Sequence, residues 1–87
     1  MGFYRHGTAV VEAQQFTDET KNQVFHFVRC NCFATFVDNT PALTIETPDG
    51  DRTAQFGDWV VKSGQGAFYP VPPERFLADY TPVTTNL

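Results

Sequence analysis

The stretch GDWVVKSGQGAFYPV, residues 57–71, decides the fold because it contains two short apolar strands joined by a tight turn. Residues 59–62 and 67–71 have the length and the β-branched or aromatic content of strands. Between them, residues 63–66 supply the serine and glycines that tight turns favour. The stretch therefore predicts an antiparallel hairpin.

Both faces of this hairpin carry apolar side chains. Successive residues of a strand point to opposite faces, so Val60 and Val61 lie on different sides, as do Phe68 and Tyr69. A small sheet with two apolar faces needs cover on both, because a large exposed apolar patch is unusual. Two solutions stay open: the sheet curls into a partial barrel, or a partner subunit or ligand covers the second face.

Further short strands and turns precede the hairpin along the chain. Alternating or β-branched residues predict strands, and proline, glycine, asparagine and aspartate predict the connections. The predicted strands are residues 9–16, 33–37, 42–47 and 52–56, and the predicted turns are residues 38–41, 48–51 and 57–58.

One main helix is predicted over residues 18–30. Thr17 is its expected N-cap and Asn31 its expected left-handed stop. His26 points away from the apolar side of this helix. The apolar side, at about 3.6 residues per turn, consists of Val24, Phe25, Phe27 and Val28.

The C-terminal part predicts one helical turn, started by a proline, over residues 72–79. Phe76 and Leu77 are its expected buried anchors. Tyr80 begins an extended tail, and residues 84–87 are expected to fray. The chain is thus predicted to be a single α+β domain over residues 1–87, with one main helix on one face of a twisted antiparallel sheet of five or six short strands.

Composition limits the function. The 87 residues allow one small domain, and thirteen aromatic residues, nine of them phenylalanine, supply its core. Ten acidic against six basic residues give a net charge of -4, which repels phosphate backbones and anionic membranes. We therefore expect no general nucleic-acid binding and no membrane binding.

The chain lacks an apolar stretch suited to a signal peptide or a membrane span, so we expect a cytoplasmic protein. Cys30 and Cys32 lie too close in sequence for an ordinary disulfide, and both are expected to be reduced thiols. With His26 they form the best metal-like group of the sequence, but a closed zinc site needs four ligands. No nucleotide, Walker or HExxH motif is present. The sequence predicts no cofactor and no enzymatic activity.

The hairpin turn is the best binding candidate. Gly64 and Gly66 can adopt positive φ and turn their backbone N–H groups toward an anion. The alternative is that the glycines only satisfy the turn and the rings only fill the core. Asp58 is expected to cap its own turn. The candidate binding residues are Trp59, Lys62, Gln65, Tyr69 and Arg75.

Several segments together resemble a family of small uncharacterised proteins encoded by bacteriophages and prophages. The similar segments are Tyr4-Arg5, VVEAQQF at residues 10–16, the 57–71 stretch, Phe76 and YTPV at residues 80–83. The family pattern in the C-terminal block is similar to PGDWVVxGxxGEFYPxxPxxF. This chain departs from it at Phe56, at Ser63-Gly64 and at Ala67, where the family has an acidic residue.

The resemblance implies a phage context and no established activity. With the small size and acidic charge, it favours a non-enzymatic accessory protein that binds and modulates a host bacterial protein in the host cytoplasm. Two alternatives stay open: a module that sequesters a small anionic ligand or nucleotide signal at the turn, and a minor structural component of the virion. The two-sided apolar strand also favours self-association into a homo-oligomer.

Overall fold

The computed structural model describes residues 2–29, 32–64 and 66–83, and these confirm the α+β class. They form two helices and eight strands. The elements are β1 (Gly2–His6), β2 (Ala9–Gln15), α1 (Lys21–Val28), β3 (Cys32–Val37), β4 (Thr40–Thr47), β5 (Gly50–Ala54), β6 (Trp59–Lys62), β7 (Phe68–Val71), α2 (Pro73–Asp79) and β8 (Thr81–Pro82).

The strands form two antiparallel sheets where the sequence predicted one. Sheet A has five strands in the order β7-β6-β2-β1-β8, and sheet B has three in the order β3-β4-β5. Neither sheet closes on itself to form a complete barrel. The predicted hairpin, β6 with β7, is present with Trp59 opposite Val71 and Lys62 opposite Phe68.

The first core lies between α1, sheet B and one face of sheet A. Val24 and Val28 of α1 contribute to it, together with Ile45 of β4 and Val60 of β6, and all four are buried. Phe16, just after β2, belongs to the same cluster. This is the helix-on-sheet packing that the periodicity of α1 predicted.

The second face of sheet A is covered by α2. Val11, Ala13 and Val61 form a separate buried cluster with Phe76 of α2. Helix α2 therefore covers the second apolar face of sheet A. From the sequence, a partial barrel, a partner subunit or a ligand had been the expected cover for this face. The position of α2 removes the packing argument for self-association, because no apolar strand face is left over at this position.

Helix α1 is shorter than predicted, at Lys21–Val28 in place of 18–30. Thr17 is not its N-cap: the backbone N–H of Thr17 donates to Thr20 Oγ1 at 2.9 Å, and that hydroxyl donates to the Gln15 carbonyl oxygen. These bonds fix a turn before the helix, which then begins after Thr20. Phe25 was placed on the buried side but is 41% exposed.

The C-terminal end of α1 also differs from the prediction. Arg29 is the C-cap, with φ of 68°, and its N–H donates to the Phe25 carbonyl oxygen. The expected stop at Asn31 lies outside the described residues. A non-glycine residue thus adopts a positive φ at the end of this helix, and its ψ of -109° lies outside the left-handed helical region.

Of the two residues predicted to anchor the C-terminal helix, one is buried and the other is exposed. Phe76 is buried, whereas Leu77 is 76% exposed. Neighbouring helix residues point about 100° apart, so only one of the two can face sheet A. The extended tail is confirmed as β8, which pairs Thr81 with Arg5 of β1. The predicted fraying of residues 84–87 falls outside the described residues.

Neither of the two described helices has the length and apolarity needed to cross a bilayer.

Candidate functional site

The predicted binding residues do not share one surface. Cross-strand partners point to the same face of a sheet, and Tyr69 is paired with Val61, whereas Lys62 is paired with Phe68. Trp59 and Tyr69 therefore face α2, and Lys62 faces the side on which α1 packs. The aromatic residues and the lysine cannot line a single concavity at the turn.

Trp59 is part of a column of stacked rings in the second core. The Phe76 ring lies parallel to it at a centroid distance of 4.0 Å, and the Tyr80 ring lies on the other side of Phe76 at 4.6 Å. His6 continues the column, stacked on Tyr80 at 4.4 Å. The interpretation of Trp59 as a core residue is the one that this packing favours.

The pKa of Tyr80, which lies between Phe76 and His6 in the column, is raised above the ordinary value of 10.0. Burial of the hydroxyl is the main cause, and the negative charge of Asp79 adds to it, while Arg75 acts in the opposite direction. Arg75 itself lies on the surface of α2, where its Nε is 3.8 Å from Asp79 Oδ2. An exposed pair of this kind contributes little to stability.

The 63–66 turn uses its own backbone donors. Gly66 N–H donates to the Ser63 carbonyl oxygen at 3.0 Å, and Ala67 N–H donates to Ser63 Oγ at 3.2 Å. Gly66 has the expected positive φ of 85°, but Gly64 is not among the positive-φ residues. Gln65 lies outside the described residues. The N–H groups of Gly66 and Ala67 are therefore already engaged, which weakens the interpretation of this turn as an anion-binding site.

Asp58 behaves as expected in the turn before β6. Its Oδ2 accepts a hydrogen bond from Gln55 N–H at 3.0 Å. The carboxylate thus fixes the local backbone, which is the common use of aspartate in turns.

A groove of about 950 Å³ opens between α1 and sheet A, on the face of the sheet that carries Lys62. We call it the α1 groove. Phe27 of α1 and Phe68 of β7 form its apolar wall, with their rings edge to face at 5.2 Å. Gly66 lies at its margin. The groove thus borders the predicted turn but is formed mainly by residues that the turn does not contain.

Basic groups line the α1 groove. Lys62, Arg29 and His26 all border it. Glu12 stands opposite Lys62 in the β2–β6 register, yet neither residue takes part in an ion pair within the described ranges. Lys62 Nζ lies instead 6.0 Å from the centre of the Phe68 ring. Two fixed positive charges and one negative charge therefore meet here, on a chain whose net charge is -4.

Two amide side chains complete the groove. Gln14 Nε2 donates to Gln23 Oε1 at 2.9 Å, which links β2 to α1. Gln14 Oε1 is buried and has no hydrogen-bond partner among the described residues. A buried acceptor without a donor costs about 1–3 kcal/mol. Gln14 lines the groove and carries an acceptor without a donor, which a water molecule or a ligand donor reaches when the amide turns toward the groove.

The sequence did contain a signal for this site. Along β2, buried Val11 and Ala13 alternate with the polar Glu12 and Gln14. These polar residues are the groove side of β2, and they line the site because α1 leaves this part of the sheet uncovered.

Of the three possible metal ligands that the sequence suggested, only His26 and Cys32 lie within the described residues. His26 borders the α1 groove, and Cys32 Sγ donates to the Arg29 carbonyl oxygen at 3.3 Å. Cys30 lies outside the described residues. Within residues 2–29, 32–64 and 66–83, no three histidine, cysteine or acidic side chains are grouped as metal ligands.

A second candidate surface is the free edge of sheet B. Strand β3 is one of the two edge strands of sheet B, and its sequence is CFATFV. Phe33 is 52% exposed and Phe36 is 70% exposed, and alternation places them on opposite faces of the strand. The edge therefore presents backbone hydrogen-bonding groups flanked by an exposed ring on each side.

Comparisons of this chain with protein-family models, with curated proteins and with solved structures found no match.

Proposed function

We propose that the protein is a phage-encoded, non-enzymatic accessory protein that acts in the host cytoplasm by binding an extended segment of a bacterial protein. The partner segment adds to sheet B as a further strand beside β3. The resemblance of the sequence to phage proteins supports the setting, and the unprotected edge of β3 supports the mode of binding.

The observation that carries the proposal is a difference between the sheet edges. Natural edge strands avoid unwanted pairing through proline, charge or shortness. Edge strand β7 contains Pro70, β8 has two residues including Pro82, and β5 contains Asp51 and Arg52. Edge strand β3 has six residues without a charge or a proline. Strand addition is a common way in which a protein binds an extended peptide.

The chemistry of the edge indicates what kind of segment binds. Main-chain hydrogen bonds to β3 require an extended partner, and Phe33 and Phe36 favour apolar side chains on both of its faces. The net charge of -4 favours basic residues next to that apolar segment, because opposite charge speeds encounter. The partner is therefore an extended apolar segment with basic flanks.

The test uses the full-length protein, immobilised and exposed to lysate of a bacterial host. In the Phe36→Lys variant the lysine should block strand addition, so the captured partner should be lost. Leu77→Lys is the matched control, because Leu77 is an equally exposed apolar residue on α2. Hydrogen exchange on the captured complex should show protection of the amides of β3.

Three results would contradict the proposal. One is capture of the partner by both variants alike, which would place the contact elsewhere. Another is a parent protein that is dimeric by light scattering and becomes monomeric with Phe36→Lys, which would make a second copy the occupant of the edge. The third is detection of the chain in purified virions by mass spectrometry at a fixed number of copies, which would favour a structural role.

A further inference from the structure

Beyond the protein contact at β3, we propose that the α1 groove binds a nucleoside phosphate. Its phosphate lies against Lys62 and Arg29, its base lies against the wall formed by Phe27 and Phe68, and a donor of the base or ribose satisfies Gln14 Oε1. The site differs in position from the predicted one at the 63–66 turn, although Gly66 borders both.

The positive groups supply the phosphate contact. Lys62 and Arg29 line the groove, and no ion pair within the described residues neutralises either one. Arginine and lysine side chains are the usual protein ligands of phosphate, and arginine can donate two parallel hydrogen bonds. Lys62 and Arg29 are opposed by one lining carboxylate, Glu12, so the groove has an excess of one fixed positive charge on a chain whose net charge is -4.

The aromatic wall supplies the contact for the base. Phe68 lies beside Lys62, whose Nζ is 6.0 Å from the ring centre, and Phe27 packs edge to face against the same ring. A phosphate at Lys62 is therefore within a short distance of an apolar aromatic surface. Proteins bind the bases of single nucleotides on surfaces of this kind, since every base has a face that stacks.

Gln14 distinguishes a nucleoside phosphate from a simple anion. Its buried Oε1 accepts no hydrogen bond from a described residue, so it needs a donor. Amino groups of bases and hydroxyl groups of ribose are donors at a distance from the phosphate, whereas a P–OH group of inorganic phosphate donates only from the phosphate itself. The volume of about 950 Å³ also lies within the range of small-molecule sites, roughly 300 to 1,000 Å³.

The experiment is calorimetric titration of the full-length protein at low ionic strength, with magnesium-free ATP, GTP, CTP and UTP, with inorganic phosphate and with adenosine. At least one of the four nucleotides should bind about tenfold more tightly than phosphate or adenosine, a difference of about 1.4 kcal/mol. Lys62→Gln should weaken that binding by about tenfold or more, and Lys62→Arg should restore it.

The control is Lys21→Gln, which changes the net charge by the same amount. Lys21 forms its ion pair with Asp18 and does not line the groove, so this variant should bind as the parent does. Gln14→Met should weaken nucleotide binding, because it removes the buried acceptor that lacks a donor, and it also removes the hydrogen bond from Gln14 Nε2 to Gln23 Oε1.

Each remaining outcome would overturn the proposal. Absence of binding by all four nucleotides at millimolar concentration excludes the ligand class. Equal affinity for phosphate and nucleotide excludes a role for the aromatic wall and Gln14. Equal weakening by Lys62→Gln and Lys21→Gln shows that net charge, and not the groove, controls binding.

Discussion

At the scale of single residues, Phe76 holds the second core together. It is 2% exposed, it is stacked between Trp59 and Tyr80, and Tyr4 contacts its edge at 4.9 Å. An isolated helix as short as α2 is unstable in water, so its packing on sheet A must stabilise it. This single side chain therefore decides whether the second face of sheet A stays covered.

We expect Phe76→Ala to lower the free energy of unfolding by about 3–5 kcal/mol, because it removes a buried ring and leaves a cavity. Leu77→Ala is the control next to it and should change stability by less than about 0.5 kcal/mol. Urea denaturation followed by the fluorescence of Trp59, the single tryptophan, measures both. Similar losses in the two variants would mean that Phe76 does not anchor α2.

Tyr80 makes stability depend on alkaline pH. Its pKa is raised in the folded state, mainly by burial and further by Asp79, with Arg75 opposing and the His6 ring stacked on it. The folded state therefore holds this proton more tightly than the unfolded state. The resulting stabilisation is complete below pH 10.0 and is lost as the pH rises through the folded-state pKa.

Tyr80→Phe keeps the stacked ring and removes the ionisable hydroxyl. We expect the parent to lose stability relative to this variant above pH 10, and to show no such relative loss near neutral pH. Urea midpoints of both proteins across the alkaline range check this. A difference between the two that is constant with pH would show that Tyr80 does not titrate in the folded protein as described.

At the scale of elements, the sequence predicted the strands that carry their own pattern of β-branched and turn residues. It did not predict the strands that form mainly because a neighbouring strand pairs with them. The strands at 9–16 and 59–62 were found within a residue of their predicted bounds, because β-branched residues and turn residues mark them locally. Strand β1 was missed and β8 was predicted only as an extended tail, since the pairing of β1 with β2 and with β8 carries little signal in their own sequences.

The candidate site was less predictable than the strands. Of the groove residues, Lys62 was among the predicted binding residues, whereas Arg29, Gln14 and Glu12 were not. Which face of β2 remains open depends on where α1 lies across the sheet. That position is set by contacts among Val24, Ile45 and Val60, which are distant in sequence.

The β3–β4 turn allows a test of an element that was predicted. Asp38 and Asn39 both have positive φ, 51° and 65°, between the paired residues Val37 and Thr40. This is the geometry of the two-residue hairpin turn that glycine and asparagine favour. It fixes the register of β3, and with it the position of the exposed edge.

We expect Asn39→Val to destabilise the protein by about 1–2 kcal/mol, because a β-branched residue is strained at positive φ. Asn39→Gly should retain or slightly increase stability, since glycine adopts this conformation without a steric penalty. Thermal unfolding of the two variants beside the parent is the measurement. Equal stability of the valine and glycine variants would mean that the turn relaxes to another conformation.

At the scale of the whole molecule, two cores share one strand. Val60 of β6 faces the first core with α1 and sheet B, whereas Val61 and Trp59 face the second core with α2. Damage to one core should therefore be transmitted to the other, because β6 cannot leave one cluster and stay in place in the other. Small domains of this size commonly unfold in such a single cooperative step.

Val24→Ala tests this coupling, because Val24 is fully buried in the first core and belongs to a cluster that does not contain Trp59. Loss of two buried methyl groups should lower the free energy of unfolding by about 2 kcal/mol. If the cores unfold together, the urea midpoint should fall by the same amount when measured by Trp59 fluorescence, which reports on the second core, and by circular dichroism, which reports on the whole chain. A fluorescence midpoint that stays at the parent value while the circular dichroism midpoint falls would show that the second core persists alone. Shared strand β6 would then not couple the two halves of the molecule.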